Sequence, residues 1–541
     1  METIGEDLET MPRTPLLDAH VDALRKISTE KSYAAGDSVA AVGDPMDRFV
    51  YVLTGEIEVV DPYSGERMLE HGLGPTQFMG ELSFLSAGTW TLPMRAAEAT
   101  TTLEAPRADM LKLMSEIPEL SDHILTVFSA RRRITVEQDR SAIKLIGAER
   151  DPKIQAVASF LSRNRVPYQS YALEAADDES SRLCSLSNHT PSVIFNRDQL
   201  VQEPTPRKIA KLLGLDLEVD DDAEFDLLIV GGGPAGVAAA VYAGAEGLCA
   251  LVIEDTAIGG QAGTSSRIEN YMGFPTGISG ADLVFRGQVQ ALKFGTRFAM
   301  PRRVESLLRR DDGMFCAALE DGQTVCAKAI LVATGVQYRE LPLEGRADFE
   351  GSGIYYAATD MEARLCENKP VAIIGGGNSA GQAAMYLSRQ ATHVHMLVRG
   401  DSLASSMSSY LTKRLEADPA VTIHYNTEVK AVRGTDVLDT VMLDTPDGEE
   451  ALDCGGLFIM VGAAPNTSWL EGQAKLDEKG FVETGNAVGQ TSPFQTSAPG
   501  IFAVGDVRAG SVKRVASGVG EGSVVVSAIW SYLQDDAVEM A

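Results

Sequence analysis

Phe225-Asp226-Leu227-Leu228-Ile229-Val230 runs directly into Gly231-Gly232-Gly233-Pro234-Ala235-Gly236, and an Ala-rich stretch follows. An apolar run of strand length, a glycine turn and a helical segment make the layout of a dinucleotide-binding βαβ unit. Each glycine has its own task. Gly231 allows the tight turn, Gly233 lets the backbone approach a pyrophosphate, and Gly236 lets the helix pack closely on the sheet. The N-terminus of that helix, which opens with Pro234 and Ala235, offers free backbone N–H groups to the phosphates from Ala235 onward, Pro234 having none. The next apolar strand, Ala250–Ile253, ends at Glu254, where a carboxylate can accept from a ribose diol. A GxGxxG alone is weak; the strand before, the helix after and the acid beyond make this one specific.

The pattern occurs twice. Residues 371–374 run into Gly375-Gly376-Gly377-Asn378-Ser379-Ala380, a GxGxxA version with the same mechanics. Its partner strand, His393–Val398, leads to Arg399 and not to a carboxylate. A cation there favours a 2′-phosphate, which points to NADPH, with NADH as the alternative. Each half closes with a strand ending in glycine, 330–334 before Gly335 and 457–461 before Gly462. Near the C-terminus, residues 500–504 lead to Gly505-Asp506. The Asp506 carboxylate can accept from a flavin's ribityl hydroxyl, or cap a helix. Strands alternating with helices from 225 onward imply parallel sheets with crossover helices.

The whole chain has 541 residues, which at roughly 100–200 per domain implies three or four domains. Its 47 Lys+Arg against 76 Asp+Glu give a net charge of −29, a field that repels nucleic acid. No apolar stretch approaches the ~20 residues that cross a bilayer. The start, Met1-Glu2-Thr3-Ile4-Gly5-Glu6-Asp7, lacks the layout of a secretory leader, so a cytoplasmic location is expected. The six cysteines, Cys184, Cys249, Cys316, Cys326, Cys366 and Cys454, show no Cys-x-x-Cys and no zinc-ligand spacing. They read as reduced thiols, mostly buried fillers, and exclude a disulfide scaffold.

Residues 30–107 are short alternating runs broken by Gly, Pro and Asp, as in an antiparallel barrel or jelly roll. From 108 to 140 the period becomes helical, and Arg131-Arg132-Arg133 on that stretch reads as a solvated face. Residues 141–216 read as a compact α/β unit. Its elements are a strand at 142–146, helix Pro152–Arg163, a strand at 168–173, a helix near 178–186, strands at 191–196 and 199–201, and a helix at 206–213. The acidic run 216–224 reads as a linker. The domains expected are thus 20–140, 141–216, 225–343, 344–462 and 463–541.

From 225 to 541 these features together resemble the thioredoxin reductase-like flavoproteins, with two dinucleotide-binding domains in one chain. The resemblance implies FAD in the first unit, held by Gly231–Gly236, Glu254, Gly259-Gly260-Gln261 and Asn270. Asp506 and Arg514-Val515-Ala516 would line the ribityl chain and the isoalloxazine ring. NAD(P)H would occupy the inserted unit, and hydride would pass from nicotinamide to flavin. Family members keep a Cys-x-x-Cys where this chain reads Tyr356-Ala357-Ala358-Thr359-Asp360. A thiolate is the nucleophile of disulfide exchange, and neither a methyl nor a carboxylate replaces it. Arg399 stands alone where further arginines are usual, at Gly400 and Ala404.

Residues 20–140 resemble a cyclic nucleotide-binding domain, with Phe78-Met79-Gly80-Glu81-Leu82-Ser83 similar to the start of its phosphate cassette. Trp90 and Thr91 stand where that family places its phosphate arginine; Arg95 could reach in only from a longer loop. A cyclic phosphate would lose a charge-assisted bond of roughly 1.5–3 kcal/mol, so an interaction or dimerisation module is expected in place of a cyclic nucleotide receptor.

The middle unit is similar to a thioredoxin or glutaredoxin fold. Thr190-Pro191 stands where that fold keeps a cis-proline, and Glu149-Arg150-Asp151-Pro152 at the active-site position holds no cysteine. The expectation is an FAD-dependent NAD(P)H oxidoreductase, homodimeric as its family is, whose unidentified acceptor is not reached through an internal disulfide. The alternatives are a redox or ligand sensor coupling the flavin to the barrel, and a disulfide reductase working through Cys366 or a partner's thiols.

Overall fold

The computed structural model describes the chain except for residues 1–12, 63, 70, 86–87, 138–142, 148–150, 173–189, 196–198, 202, 217–222, 266–267, 269, 339–340, 342, 350–352, 357, 359, 405, 436, 462, 471 and 540–541. Cys184 and the expected helix at 178–186 therefore lie outside the described residues, as do Glu149, Arg150, Ala357 and Thr359. The chain divides into two compact units. One comprises Met1–Asp222, Gly244–Ala257 and Gln288–Arg303; the other comprises Ala223–Ala243, Ile258–Gly287 and Val304–Ala541.

In the first unit, two three-stranded antiparallel sheets form the N-terminal part. Thr29–Tyr33, Thr100–Pro106 and Arg48–Thr54 make one, and Ser38–Ala40, Met94–Ala96 and Ile57–Val59 the other. Four successive residues of Arg48–Thr54, from Phe49 to Val52, are buried; Phe49 stacks on Phe78 at 5.2 Å between ring centroids, and Phe84 meets Phe128 edge-on at 6.2 Å. The helical stretch breaks at Pro118, which cannot donate to the preceding turn, giving helices Arg107–Glu116 and Pro118–Glu137. Arg131 is a correction to the solvated face. Its Nη1 donates to the carbonyls of Phe78 (2.7 Å) and Gly80 (3.0 Å), and the guanidinium lies over the Phe78 ring. Enclosure of the guanidinium, with Arg13 nearby, lowers its pKa to about 9.

Next comes a four-stranded sheet in the order Gln199–Val201, Ser192–Phe195, Ile143–Ile146, Gln169–Tyr171. The central pair is antiparallel and Gln169–Tyr171 is parallel to its neighbour. Helices Pro152–Arg163 and Pro206–Leu212 pack on each other, each started by a side-chain cap, Asp151 and Thr205, with proline in the first turn. Among the described residues the one cis peptide bond is Met300–Pro301, so Thr190–Pro191 does not carry the cis bond expected there. Asp216 is no free linker residue either; its side chain is fully buried in an ion pair. Ala250–Ile253 and Arg297–Ala299 complete this unit as a parallel pair.

In the second unit, Glu224–Val230, Thr324–Val332 and Ile501–Ala503 pair in parallel, and Val304–Arg309, Phe315–Leu319 and Thr324–Val332 form an antiparallel meander. An inserted five-stranded parallel sheet runs Ile354–Tyr355, Gly456–Ile459, Pro370–Ile374, His393–Val398, Val421–Tyr425. The chain enters and leaves this insertion through Val336–Tyr338 and Ala463–Pro465, which pair antiparallel.

The reading of all cysteines as reduced thiols is corrected by a Cys316–Cys326 disulfide across the meander. The two residues are direct cross-strand partners, with Cα atoms 4.1 Å apart. The bond closes a short loop whose removal from the unfolded chain's constraints costs about 2–3 kcal/mol. Cys316→Ser/Cys326→Ser should therefore lower the unfolding free energy of this unit by that amount, read as a lower urea midpoint multiplied by the m-value. Thiol titration of the denatured wild type should rise by two after reduction; no rise would show that the bond does not form.

Candidate functional site

The first glycine turn is built by backbone contacts that leave no room for side chains. Gly231 has φ +108°, and a Cβ there would lie 2.4 Å from the Ala333 carbonyl oxygen. A Cβ on Gly236 would lie 1.9 Å from the Gly231 carbonyl oxygen. Gly259 donates its N–H to the Gly232 carbonyl at 2.8 Å, and Gly260, at φ +52°, would place a Cβ 3.2 Å from the Gly233 Cα. At Gly233, by contrast, a Cβ would meet nothing within 4 Å. The turn thus leaves an open space beside bare backbone at the start of helix Pro234–Ala245, the shape and polarity that a pyrophosphate needs.

The C-terminal helix, Val515–Glu539, closes this cradle. A Cβ on Gly522 would lie 2.1 Å from the Ala235 carbonyl oxygen, and one on Gly505 3.1 Å from the Ala235 Cβ. Asp506 lies inside the short 3₁₀ turn Gly505–Val507, which has no side-chain cap, so the helix-cap alternative is not realised. Burial and the charge of Glu521 raise its pKa, while Lys513 lowers it. Glu521 is a site residue that the motif reading did not pick out. Its carboxylate accepts from the Gly505 N–H at 2.7 Å and from Arg508 Nη2 at 2.6 Å, fixing the turn that carries Asp506. The signal available was its place in Gly518-Val519-Gly520-Glu521-Gly522, a charged residue among glycines that mark close helix contact.

The remaining residues of the first set divide. Gln261 donates to the Val336 carbonyl. Asn270, Arg514 and Ala516 are exposed, and Val515 opens the C-terminal helix. In the first unit Glu254 ends its strand buried, its carboxylate accepting from the Thr256 N–H at 3.2 Å.

The second turn repeats the first. A Cβ on Gly375, at φ +145°, would lie 2.5 Å from the Met460 carbonyl oxygen. Gly377 caps helix Asn378–Leu387, where Asn378 and Ser379 are exposed and Ala380 is buried. A serine-rich loop folds over it: Ser406 Oγ donates to the Gly376 carbonyl (2.7 Å) and the Ser408 N–H to Asn378 Oδ1 (2.8 Å). Arg399 follows its strand fully at the surface, with no arginine at 400 or 404 beside it.

Of the described thiols outside the disulfide, Cys249 is exposed in the first unit, while Cys366 and Cys454 are buried and poorly suited to exchange. Burial pushes Cys366 up to about 11 and Cys454 up to about 12, where the reactive thiolate is scarce at neutral pH. Among the described residues no group of three or more His, Cys, Asp or Glu is arranged to hold a metal.

One polar cluster sits on the inserted sheet. His395 Nδ1 and His424 Nε2 are 3.0 Å apart, and the His393 and His395 rings are 4.8 Å apart between centroids. Burial, then His393 and His424, push His395 down from 6.5 to about 4. The unfolded chain therefore binds more protons than the folded one between these values. Stability from this cluster is full above pH 6.5 and falls as pH drops towards 4. His395→Gln should flatten that part of the unfolding profile; an unchanged slope would assign the acid sensitivity elsewhere.

Gly236→Ala should abolish flavin retention, because its methyl must displace the Gly231 carbonyl; protein purified with undiminished colour would show that the turn can yield.

Residues 225–522 match the family described as pyridine nucleotide-disulphide oxidoreductase, and residues 30–116 the cyclic nucleotide-binding domain. Thioredoxin reductase of Treponema pallidum is 34% identical over 314 residues, 58% of this chain and 98% of that protein. NADPH-dependent thioredoxin reductase 3 of Arabidopsis thaliana is 34% identical over 317 residues, 57% of this chain and 58% of its own. Among solved structures, Lactococcus lactis thioredoxin reductase aligns with a TM-score of 0.53 at 27% identity, covering 57% of this chain and 99% of its own.

Proposed function

The chain belongs to the pyridine nucleotide-disulphide oxidoreductase family, and on that premise we propose that it delivers electrons from NADPH to an acceptor outside the chain without an internal Cys-x-x-Cys. It is an NAD(P)H-dependent flavoprotein oxidoreductase, of a family that uses FAD and NADPH. Bound FAD supplies hydride acceptance from NADPH and the onward release of two electrons. The chain's own residues bind and orient. Gly231, Gly233, Gly236, Gly259 and Gly260 would give the pyrophosphate a bare backbone cradle, Glu254 would accept from the adenosine ribose, and Asp506, in the turn held by Glu521, would accept from the ribityl chain. Gly375, Gly377, Asn378, Ser379 and Ala380 would form the NADPH cradle, and Arg399 would be the cation for the 2′-phosphate.

The observation that carries this reading is the contrast between two glycine cradles and a sequence without a Cys-x-x-Cys, in which Cys366 and Cys454 are buried. The Cys316–Cys326 pair does not fill that role. Cys326 is the third residue of its strand while Ala333, beside Gly231, follows the other end, roughly 20 Å away at ~3.3 Å per residue. Disulfide exchange needs sulfur in contact with its partner. Cys366, the route of the minor alternative, is buried and its thiol disfavours ionisation.

The same reading makes the middle unit a thioredoxin-like fold without its dithiol, its strand order being the supporting feature. It makes the N-terminal sheets a barrel that does without a cyclic nucleotide: Arg95 is spent on Glu58, at 2.6 Å, and Trp90 is buried. A cytoplasmic homodimer completes it.

Anaerobic NADPH should bleach the yellow protein. An artificial electron-acceptor dye should support many turnovers, and oxidised thioredoxin none. Sustained turnover with thioredoxin as sole acceptor would overturn the reading.

A further inference from the structure

A run of contacts in the first unit links the barrel to Glu254. It begins at the end of the cassette loop. Thr89 donates its N–H to the Leu213 carbonyl (3.3 Å) and its Oγ1–H to the Leu212 carbonyl (2.9 Å), both at the C-terminus of helix Pro206–Leu212. The approach is tight, since a Cβ on Gly214 would lie 2.8 Å from the Gly88 Cα. Two residues further on, Leu215 and Asp216 both donate their N–H groups to the Ala210 carbonyl, which ties them to the same helix. The Asp216 carboxylate then accepts from Arg302 Nε at 2.6 Å and from Arg207 Nε at 3.3 Å. Asp216 and Arg302 are 0% and 2% exposed in their side chains, a pairing that water does not loosen.

Arg302 closes the chain. Its backbone N–H donates to the Glu254 carbonyl at 2.8 Å, while the Glu254 N–H donates to the Ala299 carbonyl at 3.1 Å. A second contact from the middle unit grips the same turn: Asn164 Nδ2, at the end of helix Pro152–Arg163, donates to the Thr256 carbonyl at 3.4 Å. The segment bearing Glu254 is held from both ends of a unit that has no cysteine at its active-site position.

We propose that the middle unit is a strut through which the barrel's cassette loop and the Glu254 turn hold each other in place, with Asp216 and Arg302 as its positioning residues. Its effect on the flavin rests on Glu254 being the ribose acceptor, as read above. A shift of the Gly88-Thr89 loop then loosens Glu254, and by reciprocity flavin binding stiffens the loop.

Two variants test it in the full chain. Asp216→Leu/Arg302→Met replaces the buried pair by packing residues, which folding tolerates better than one unpaired charge. Thr89→Val removes one hydroxyl at the far end of the strut. Hydrogen exchange is read at the Thr256 and Arg302 amides, with strand Pro370–Ile374 as the internal reference, and FAD affinity by titrating the apoprotein.

The strut requires faster exchange at both amides in both variants, an unchanged reference strand, and FAD binding weakened at least about fivefold. It also requires that either change add little to Glu254→Gln, since all act through one carboxylate. Unchanged exchange at Thr256 and Arg302, or losses of FAD affinity fully additive with Glu254→Gln, would overturn it. A wild-type apoprotein that takes up no FAD would instead defeat the flavin reading, and the exchange rates would still decide the strut.

Discussion

The Gly231 carbonyl oxygen has a helix backbone pressed against it, and much of the second unit is arranged to permit that contact. Position 236 has to lack a side chain, because a methyl would sit 1.9 Å from this oxygen. The same constraint passes outward. Ala235 is approached by the C-terminal helix so closely that position 522 must also be bare, and the Gly505 turn comes against its methyl. Close approach is what keeps the helix start uncovered at Gly233, so that a phosphate meets N–H groups and no side chain. Asp506 owes its position to this packing, since the residues around it are held by Glu521 from the same helix.

This constraint is local in sequence, and that is why it was legible. The glycines, the strand before them and the helix after them lie within one short segment, and the inserted unit repeats it. Strands Ala250–Ile253 and His393–Val398 and helix Pro152–Arg163 fall where periodicity put them. What escaped was long-range. Arg131 in an arginine triplet looks solvated until the fold brings it under the Phe78 and Gly80 carbonyls. Asp216 in an acidic run looks like linker until Arg302 arrives from far along the chain. The Cys316–Cys326 pair is an intermediate case. The two cysteines are symmetric about the Asp321-Gly322 turn, so a hairpin reading of that stretch would have faced them.

Burial explains the chemistry of the thiols as it explains the fold. Cys366 is packed against Gly456, where a Cβ would lie 2.4 Å from its sulfur, and Cys454 donates to the Gly456 carbonyl at 3.1 Å. Both fill the core of the inserted unit, and the desolvation that suits them to that place disfavours their thiolates. A nucleophile in the Tyr356–Asp360 segment would need the opposite environment, partly exposed and electropositive. In this sequence Ala357 and Asp360 stand in that segment, and neither carries a thiol.

The two N-terminal parts then need a reason to be ordered that is not catalytic. Their anchoring supplies one. Arg131 ties the long helix to the cassette start, and Arg107 holds the carbonyls of Phe84 and Leu85 at its far side, so two arginines clamp the cassette as a rigid piece. A rigid piece can transmit position, whereas a mobile loop would absorb it. The buried Asp216–Arg302 pair has the same mechanical character: losing either charge strands the other in a dry site, so intermediate, half-open arrangements are disfavoured. Stiff elements joined by such contacts move together or not at all. In this chain the middle unit therefore acts through placement, and its lack of a dithiol is no deficit for that task.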